Sequence, residues 1–195
     1  MKKQLVKITA SLFTLALALM IFSSCQKDNL APSTETSFEE TMKSNKPGDT
    51  PIAQIAIDAG FSELVGALSY VDTELDAGLV DLFMNGTDQY TVFAPTNEAF
   101  ENLYSALGID EISDLPAELV LDVLLYHVTD GRRASNSVVP KKNLKNIETL
   151  LGVSFSVNAD PKIIAIGNEA NFVAVDISAS NGVIHVIDAV ILPIE

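Results

Sequence analysis

The chain has 195 residues, a length that accommodates one ordinary domain with accessory segments and excludes a multidomain machine. Asp and Glu number 26 against 12 Lys and Arg, a formal charge of -14 that repels phosphate backbones and argues against nucleic-acid binding. With 48% hydrophobic and 19% charged residues the chain is too apolar for a disordered acidic tail, its single Cys forbids an internal disulfide, and the lack of Trp removes the commonest stacking platform for sugars or bases.

Three lysines fall within residues 1–7, residues 12–22 are apolar except for Thr14, and the small residues Ser23 and Ser24 follow. That sequence of regions is an export signal, too short to span a bilayer, which needs about 20 apolar residues. Cys25 comes next, and the order resembles a bacterial lipoprotein signal, with Phe22 in place of the aliphatic residue usual three positions before the Cys. The resemblance implies a signal peptide over 1–24 and an acylated Cys25 as the first mature residue; a free or buried thiol is the plainer alternative. Several acyl chains, at about 0.8 kcal/mol per buried methylene, would anchor the protein to a membrane without spanning it. Gln26-Lys27-Asp28-Asn29 resembles a short acidic signal that directs lipoproteins to the outer face of the outer membrane, and it reads equally as ordinary linker. Residues 30–49 are rich in Ser, Thr, Glu, Pro and Lys with no helical or strand period, so 25–49 is expected to be a lipidated Cys followed by a flexible tether.

The globular domain is expected over 50–195. Thr50-Pro51 suits a helix start, and Ile52, Ile55 and Ala59 keep helical spacing up to Gly60. Ser62 is expected to cap a second helix with Leu64, Val65, Leu68 and Val71 on one stripe, and a short helix follows over 78–84. Asn85-Gly86 signals a turn and residues 90–94 a strand ending at Pro95. Thr96 or Asn97 caps the next helix, with Phe100, Leu103 and Leu107 on one side. Pro116 opens another that runs to about Leu125, with Val120, Val123, Leu124 and His127 opposite Glu118 and Asp122. After Asp130-Gly131 the texture becomes β-branched, giving expected strands over 147–151, 153–157, 162–166, 172–177 and 183–192. Helices followed by strands imply an α+β domain with a mostly antiparallel sheet system and a helical layer.

Charge divides at the same boundary. Residues 51–131 hold fifteen acids and no Lys or Arg, whereas residues 132–195 hold six of each sign. Five of the domain's six basic residues, Arg132, Arg133, Lys141, Lys142 and Lys145, lie within fourteen positions, either as a contact surface or as solubilising charge on an exposed edge.

Catalytic layouts are sparse. His185 sits in Val183-Ile184-His185-Val186-Ile187, apolar on both faces like a central strand, and His127 projects with an apolar helix face, so both read as buried, backbone-bonded histidines. Asp72-Thr73-Glu74-Leu75-Asp76 opens like a calcium loop, but Ala77 stands where Gly is required and Phe83 where Glu should close the site; it reads as a solvated acidic face. No nucleophile elbow, phosphate loop or dinucleotide fingerprint occurs.

Three segments together resemble the fasciclin (FAS1) domain. Tyr90-Thr91-Val92-Phe93-Ala94-Pro95-Thr96-Asn97-Glu98-Ala99-Phe100 is similar to its first signature, and Asn181-Gly182-Val183-Ile184-His185-Val186-Ile187-Asp188-Ala189-Val190-Ile191-Leu192-Pro193 to its second. Leu124-Leu125-Tyr126-His127-Val128, between them, resembles the family's tyrosine-histidine motif. The resemblance implies a fasciclin-like β-sandwich wedge with an α-helical layer in a single domain. It implies extracellular adhesion to protein, matrix or glycan, with no cofactor and no turnover. Thr96, His127 and His185 are then structural motif residues. Tyr126, at the edge of the apolar face, is expected to be the more accessible half of its motif and joins the five basic residues as a ligand-contact candidate. Two readings remain open: a tethered adhesion module, with self-association among its possibilities, and a polysaccharide-capture accessory of a glycan-uptake system. The latter would use Tyr70, Tyr90, Tyr104 and Tyr126 as stacking surfaces.

Overall fold

A computed structural model describes residues 48–194. In chain order these form α1 (Ile52–Asp58), α2 (Ser62–Leu75), α3 (Leu79–Asn85), β1 (Tyr90–Pro95), α4 (Asn97–Leu107), a 3-10 turn (Ile112–Asp114), α5 (Ala117–Tyr126), β2 (Val128–Asp130), α6 (Ser135–Val138), β3 (Lys145–Glu148), β4 (Ser154–Val157), β5 (Lys162–Ile164), β6 (Glu169–Ala179) and β7 (Gly182–Ile187). The expected order of a helical half followed by a strand half holds. The short α6 was not expected, and the last strand stops at Ile187 instead of running to Leu192.

Local chemistry explains most boundaries. Pro51 is extended and sits just before α1, so it serves as the cap and not as the first helical residue. Ser62 is likewise inside α2 rather than capping it; Phe61 holds the cap position with no side-chain bond of its own. The exposed N–H of Glu63 is instead satisfied from a distance by Asn97 Oδ1 at 3.2 Å, while Asn97 Nδ2 donates to Gly60 O at 2.9 Å. The stripe that α2 buries is Leu64, Ala67, Leu68 and Val71, a clean i, i+3, i+4, i+7 face. Asp72 belongs to no solvated acidic face. Its two carboxylate oxygens accept from Leu79 N and Val80 N, both at 2.8 Å, and so cap α3 across the left-handed Asp76 and Gly78.

The strands make one seven-stranded sheet in the order β2-β1-β7-β6-β5-β4-β3. β1 and β7 run parallel in register from Tyr90 opposite Gly182 to Pro95 opposite Ile187, and every other pairing is antiparallel. β6 is the corner: it pairs β5 near its start and β7 beyond, with register shifts between Phe172 and Ala174 and between Ala174 and Ile177. Bulges bend a strand and increase its twist. The sheet consequently folds back on itself. β1 and β4 are four strand positions apart, about 19 Å in a flat sheet, yet the rings of Phe93 and Phe155 meet edge to face at 5.0 Å. The sandwich expected from the resemblance is therefore one sheet doubled over, with the helices on the outer side of its β1–β7 part.

Alternation along the two parallel strands separates two cores. Val92, Ala94, Ile184 and Val186 point into the larger core shared with the helices, while Phe93 and Ile187 point into the smaller one between the folded halves, with Phe155, Ile147 and Ile163. β1 and β7 are thus buried on both faces, which is why they read as continuous apolar runs. Among the described residues no buried side-chain nitrogen or oxygen lacks a hydrogen-bond partner. Residues 48–194 carry both cores and all seven strands of the sheet.

Candidate functional site

The second signature and the tyrosine-histidine motif converge where α5 ends against the segment following β7. His127 caps α5 and is 3% exposed. Its Nδ1–H donates to Val123 O at 2.7 Å, and its Nε2 accepts from Ile191 N at 3.0 Å, so a neutral ring of one tautomer ties the helix to the chain beyond β7. Burial pushes its pKa down to about 4. Tyr126 is fully buried, packs edge to face on Phe155 at 5.8 Å and donates its hydroxyl to Ser154 O at 3.3 Å. The expectation that Tyr126 is the accessible half of the motif is corrected: it is a core residue between the folded halves of the sheet. Helical phase put it at the edge of a face, and only the sheet closing over that edge buries it.

His185 is also fully buried, between Phe93 at 5.6 Å and an edge-on Phe172 at 6.0 Å. Its Nε2–H donates to Arg133 O at 2.9 Å, and Nδ1 accepts from Asp176 N at 3.3 Å. Burial lowers its pKa. Asp176 takes a left-handed conformation (φ 64°) at the β6 bulge, and its carboxylate accepts from Ser135 N at 2.6 Å and from Ser135 Oγ at 2.5 Å. His185 and Asp176 thus brace the bulge, the loop before α6 and the start of α6 together.

Thr96 does what its position predicts: Oγ1 accepts from Ala99 N at 3.2 Å and caps α4. Sequence reading missed the role of Asn181, named only as the first residue of the second signature segment. It is 3% exposed, its Oδ1 accepts from Ile52 N at 2.9 Å, and its Nδ2 donates to Phe83 O at 3.0 Å, joining the start of α1 and the body of α3 to the β6–β7 turn. A small, buried amide that serves two unpaired backbone groups has no periodic signal.

The five basic residues do not act together. The Arg132 guanidinium donates to Gly182 O at 2.5 Å, Ala179 O at 2.9 Å and Gln89 Oε1 at 3.4 Å, and also reaches Ser178 Oγ. It clamps the β6–β7 turn, a structural duty that the charge pattern did not foresee. Arg133 is held at half-burial by Nε donating to Asp130 O at 3.0 Å. Lys141 and Lys142 are exposed, and Lys145 is half-buried with its Nζ on Ser137 O. With Leu144, 59% exposed, these lysines form a protruding basic stretch leading into the edge strand β3.

The four tyrosines are all engaged. Besides Tyr126, Tyr104 donates to Glu63 Oε2 at 2.8 Å, Tyr70 to Leu115 O at 2.9 Å, and Tyr90 packs edge-on to Phe83 at 5.8 Å. Among the described residues no three His, Cys, Asp or Glu side chains converge as a metal site. No helix among them is long and apolar enough to cross a membrane. Cys25 lies outside the described residues.

A helical layer over a doubled sheet, whose motif residues are buried braces, defines a scaffold of the fasciclin kind. The profile of the fasciclin domain matches residues 59–193, and the chain belongs to that family. It is 32% identical over 164 residues to protein sll1483 of Synechocystis sp., covering 82% of this chain and 83% of that one. It is 37% identical over 115 residues to the immunogenic protein MPB70 of Mycobacterium bovis, covering 59% of this chain and 54% of that one. Against pig transforming growth factor-beta-induced protein ig-h3 it is 35% identical over 138 residues, 70% of this chain but 18% of the relative. The chain therefore spans most of the cyanobacterial relative and only part of the other two. A solved FAS1 domain pair from the insect cell adhesion molecule fasciclin I superposes with a TM-score of 0.50 at 21% identity, over 67% of this chain and 45% of that one, a likeness of fold.

Proposed function

We propose that this protein is a non-catalytic adhesion module, lipid-anchored through Cys25 to the outer membrane and binding extracellular protein, matrix or anionic polysaccharide. Support comes from membership of a family that includes a domain pair described as a cell adhesion molecule, and from the export and lipidation pattern of residues 1–25. The observation that carries the contact surface is the stretch of Lys141, Lys142 and Lys145 around the exposed Leu144. Lys141 and Lys142 are exposed and only Lys145 reaches a backbone carbonyl, Ser137 O, so the patch lacks the multiple clamp bonds of Arg132, on a domain that is otherwise acidic. Glycan capture has less support, since all four tyrosine rings or hydroxyls are already in use.

Replacing Lys141, Lys142 and Lys145 with Gln, while keeping both arginines, tests the surface. Binding to immobilised matrix and to anionic polysaccharide at low salt should fall at least about tenfold, the cost of a few screened charge contacts, with an unchanged thermal melt. Unaltered binding would remove the patch.

A further inference from the structure

The helical layer has an apolar groove open at its rim. Pro95 at the end of β1, Leu103 and Leu107 of α4, Val123 of α5, and Leu192 and Ile194 near the chain's end line a cavity of about 130 Å³. α4 was expected to bury Phe100, Leu103 and Leu107 on one side. Instead Leu107 is 51% exposed and Leu103 half-buried, and Ile194 is 52% exposed. His127 is the one polar side chain among the described residues lining the cavity, and both its ring nitrogens are bonded to backbone. An apolar cavity near 150 Å³ stays dry and accepts a benzene ring. The groove therefore suits a single phenyl-sized group whose buried end carries no polar atom.

The chain carries such a group a short way upstream. Residues 26–47 lie outside the described residues. In that stretch Phe38 is the one aromatic residue, and Leu30 and Met42 are the other large apolar ones. Gly48 N bonds Ala179 O at the Tyr90–Gly182 end of the parallel strands. The groove lies at the Pro95 end, and the six residues of β1 between the two span about 17–20 Å. Phe38 precedes Gly48 by ten positions. Fully extended, that run reaches about 33–36 Å; as a random coil its r.m.s. span is about 16–19 Å. Span and linker therefore match, the condition under which effective concentration is greatest and falls in the millimolar range. Met42, six positions from Gly48, extends to about 20–22 Å at most and has no slack to pass around a helix. Leu30, eighteen positions away, has a lower effective concentration and no ring.

We propose that the groove is a receptor for one phenyl-sized apolar side chain and that Phe38 of the same chain seats in it. A free apolar molecule competes only at a bulk concentration that matches the one the linker provides. The seat requires neither the lysine surface nor the lipid anchor. It does draw the chain in toward Cys25, since 13 positions separate Cys25 from Phe38 against 23 from Gly48. If Cys25 is acylated, the seat sets how far the domain stands from the bilayer, and that consequence alone rests on the lipoprotein reading.

The test uses the full chain, recovered without detergent, with Glu39→Cys beside Phe38 and Leu107→Cys at the groove's rim, treated with a short bis-maleimide. The comparison pair is Glu39→Cys with Val173→Cys. Val173 is 60% exposed, lies outside the groove and sits six positions along β6 from Ala179, where Gly48 is bonded. Cys25, the only native thiol, is common to all samples. Within-chain linkage to Leu107→Cys should exceed linkage to Val173→Cys at least about fivefold. Trypsin cuts after Lys43 and finds no Lys or Arg over 51–131, so mass spectrometry reads the product as residues 28–43 joined to 44–132. Phe38→Ser should bring linkage down to the comparison level. Phe38→Tyr should do the same, because its hydroxyl would enter the groove without a hydrogen-bond partner, whereas a contact on the outer surface tolerates Tyr. Leu107→Cys alone should react faster with a simple maleimide once Phe38→Ser is added. Thermal melts check folding, and Ile194→Cys gives a second rim position. Equal linkage to both sites, or linkage that survives Phe38→Ser, would overturn the proposal. So would a crosslink between chains, which names a second copy as the occupant, and slow labelling of Leu107→Cys that Phe38→Ser leaves unchanged, which names a free apolar molecule.

Discussion

All four ring nitrogens of His127 and His185 are spent inside the protein, each histidine donating through one and accepting through the other. Both rings must be neutral to accept, and burial lowers both pKa values, that of His127 to about 4. The unfolded chain binds a proton on His127 below its ordinary 6.5, whereas the folded chain does so only near 4. Stability from this group is therefore complete above pH 6.5 and declines as pH falls through that window, by about 3 kcal/mol in all. Urea titrations from pH 7 to pH 4 should show this decline, and His127→Gln, less stable at pH 7, should show a shallower slope. Asn181 makes a similar case without titration. Asn181→Ala strands Ile52 N–H and Phe83 C=O in the core and should cost about 2–4 kcal/mol by urea unfolding, against nearly nothing for an exposed Asn such as Asn102. The histidines were legible as buried because their neighbours are apolar on both sides. Tyr126 and Asn181 were misjudged because their surroundings come from distant segments.

Element boundaries in this domain depend on side chains that cap helices locally and across the fold. Thr96 caps its own helix, a device visible in sequence, and Thr96→Ala should lower stability by about 1 kcal/mol, with Thr96→Ser close to neutral. Asp72 caps α3 from the previous helix through two bonds, so Asp72→Ala should cost about 1–2 kcal/mol and lower the helical circular dichroism if α3 frays. Nothing in the alternating acids of residues 72–76 distinguishes such a cap from a solvated face, because the acceptors' partners lie beyond a tight left-handed turn. Gly182 shows the same limit. An Asn-Gly pair signals a turn, but the stronger constraint is that a Cβ there would overlap the Tyr90 carbonyl of the neighbouring parallel strand. β6 likewise reads as an ordinary strand, and its role as the fold's corner follows from two register shifts that appear only once β5 and β7 are in place.

The formal charge of -14 averages unlike parts: residues 1–24 contribute +3, residues 25–50 contribute -2, and the remainder -15, concentrated before Arg132. A protein this acidic is held away from anionic lipid by its own field, so membrane association would depend on the anchor. Cys25→Ser should abolish incorporation of radiolabelled palmitate and move the protein from the membrane fraction to the soluble one; retention in the membrane would remove the lipoprotein reading. Composition, the helical and alternating periods, and the three motif segments were enough to determine an α+β domain of the fasciclin family, the order of its elements apart from β2 and α6, the burial of both histidines and the division of charge, since each is a property of neighbouring residues. The tertiary structure alone decided that the sheet doubles over, that Tyr126 and Arg132 are structural, and that Leu107 and Leu144 face solvent. Those outcomes depend on which surfaces the folded chain brings together, and a one-dimensional pattern records an apolar face without recording whether anything covers it.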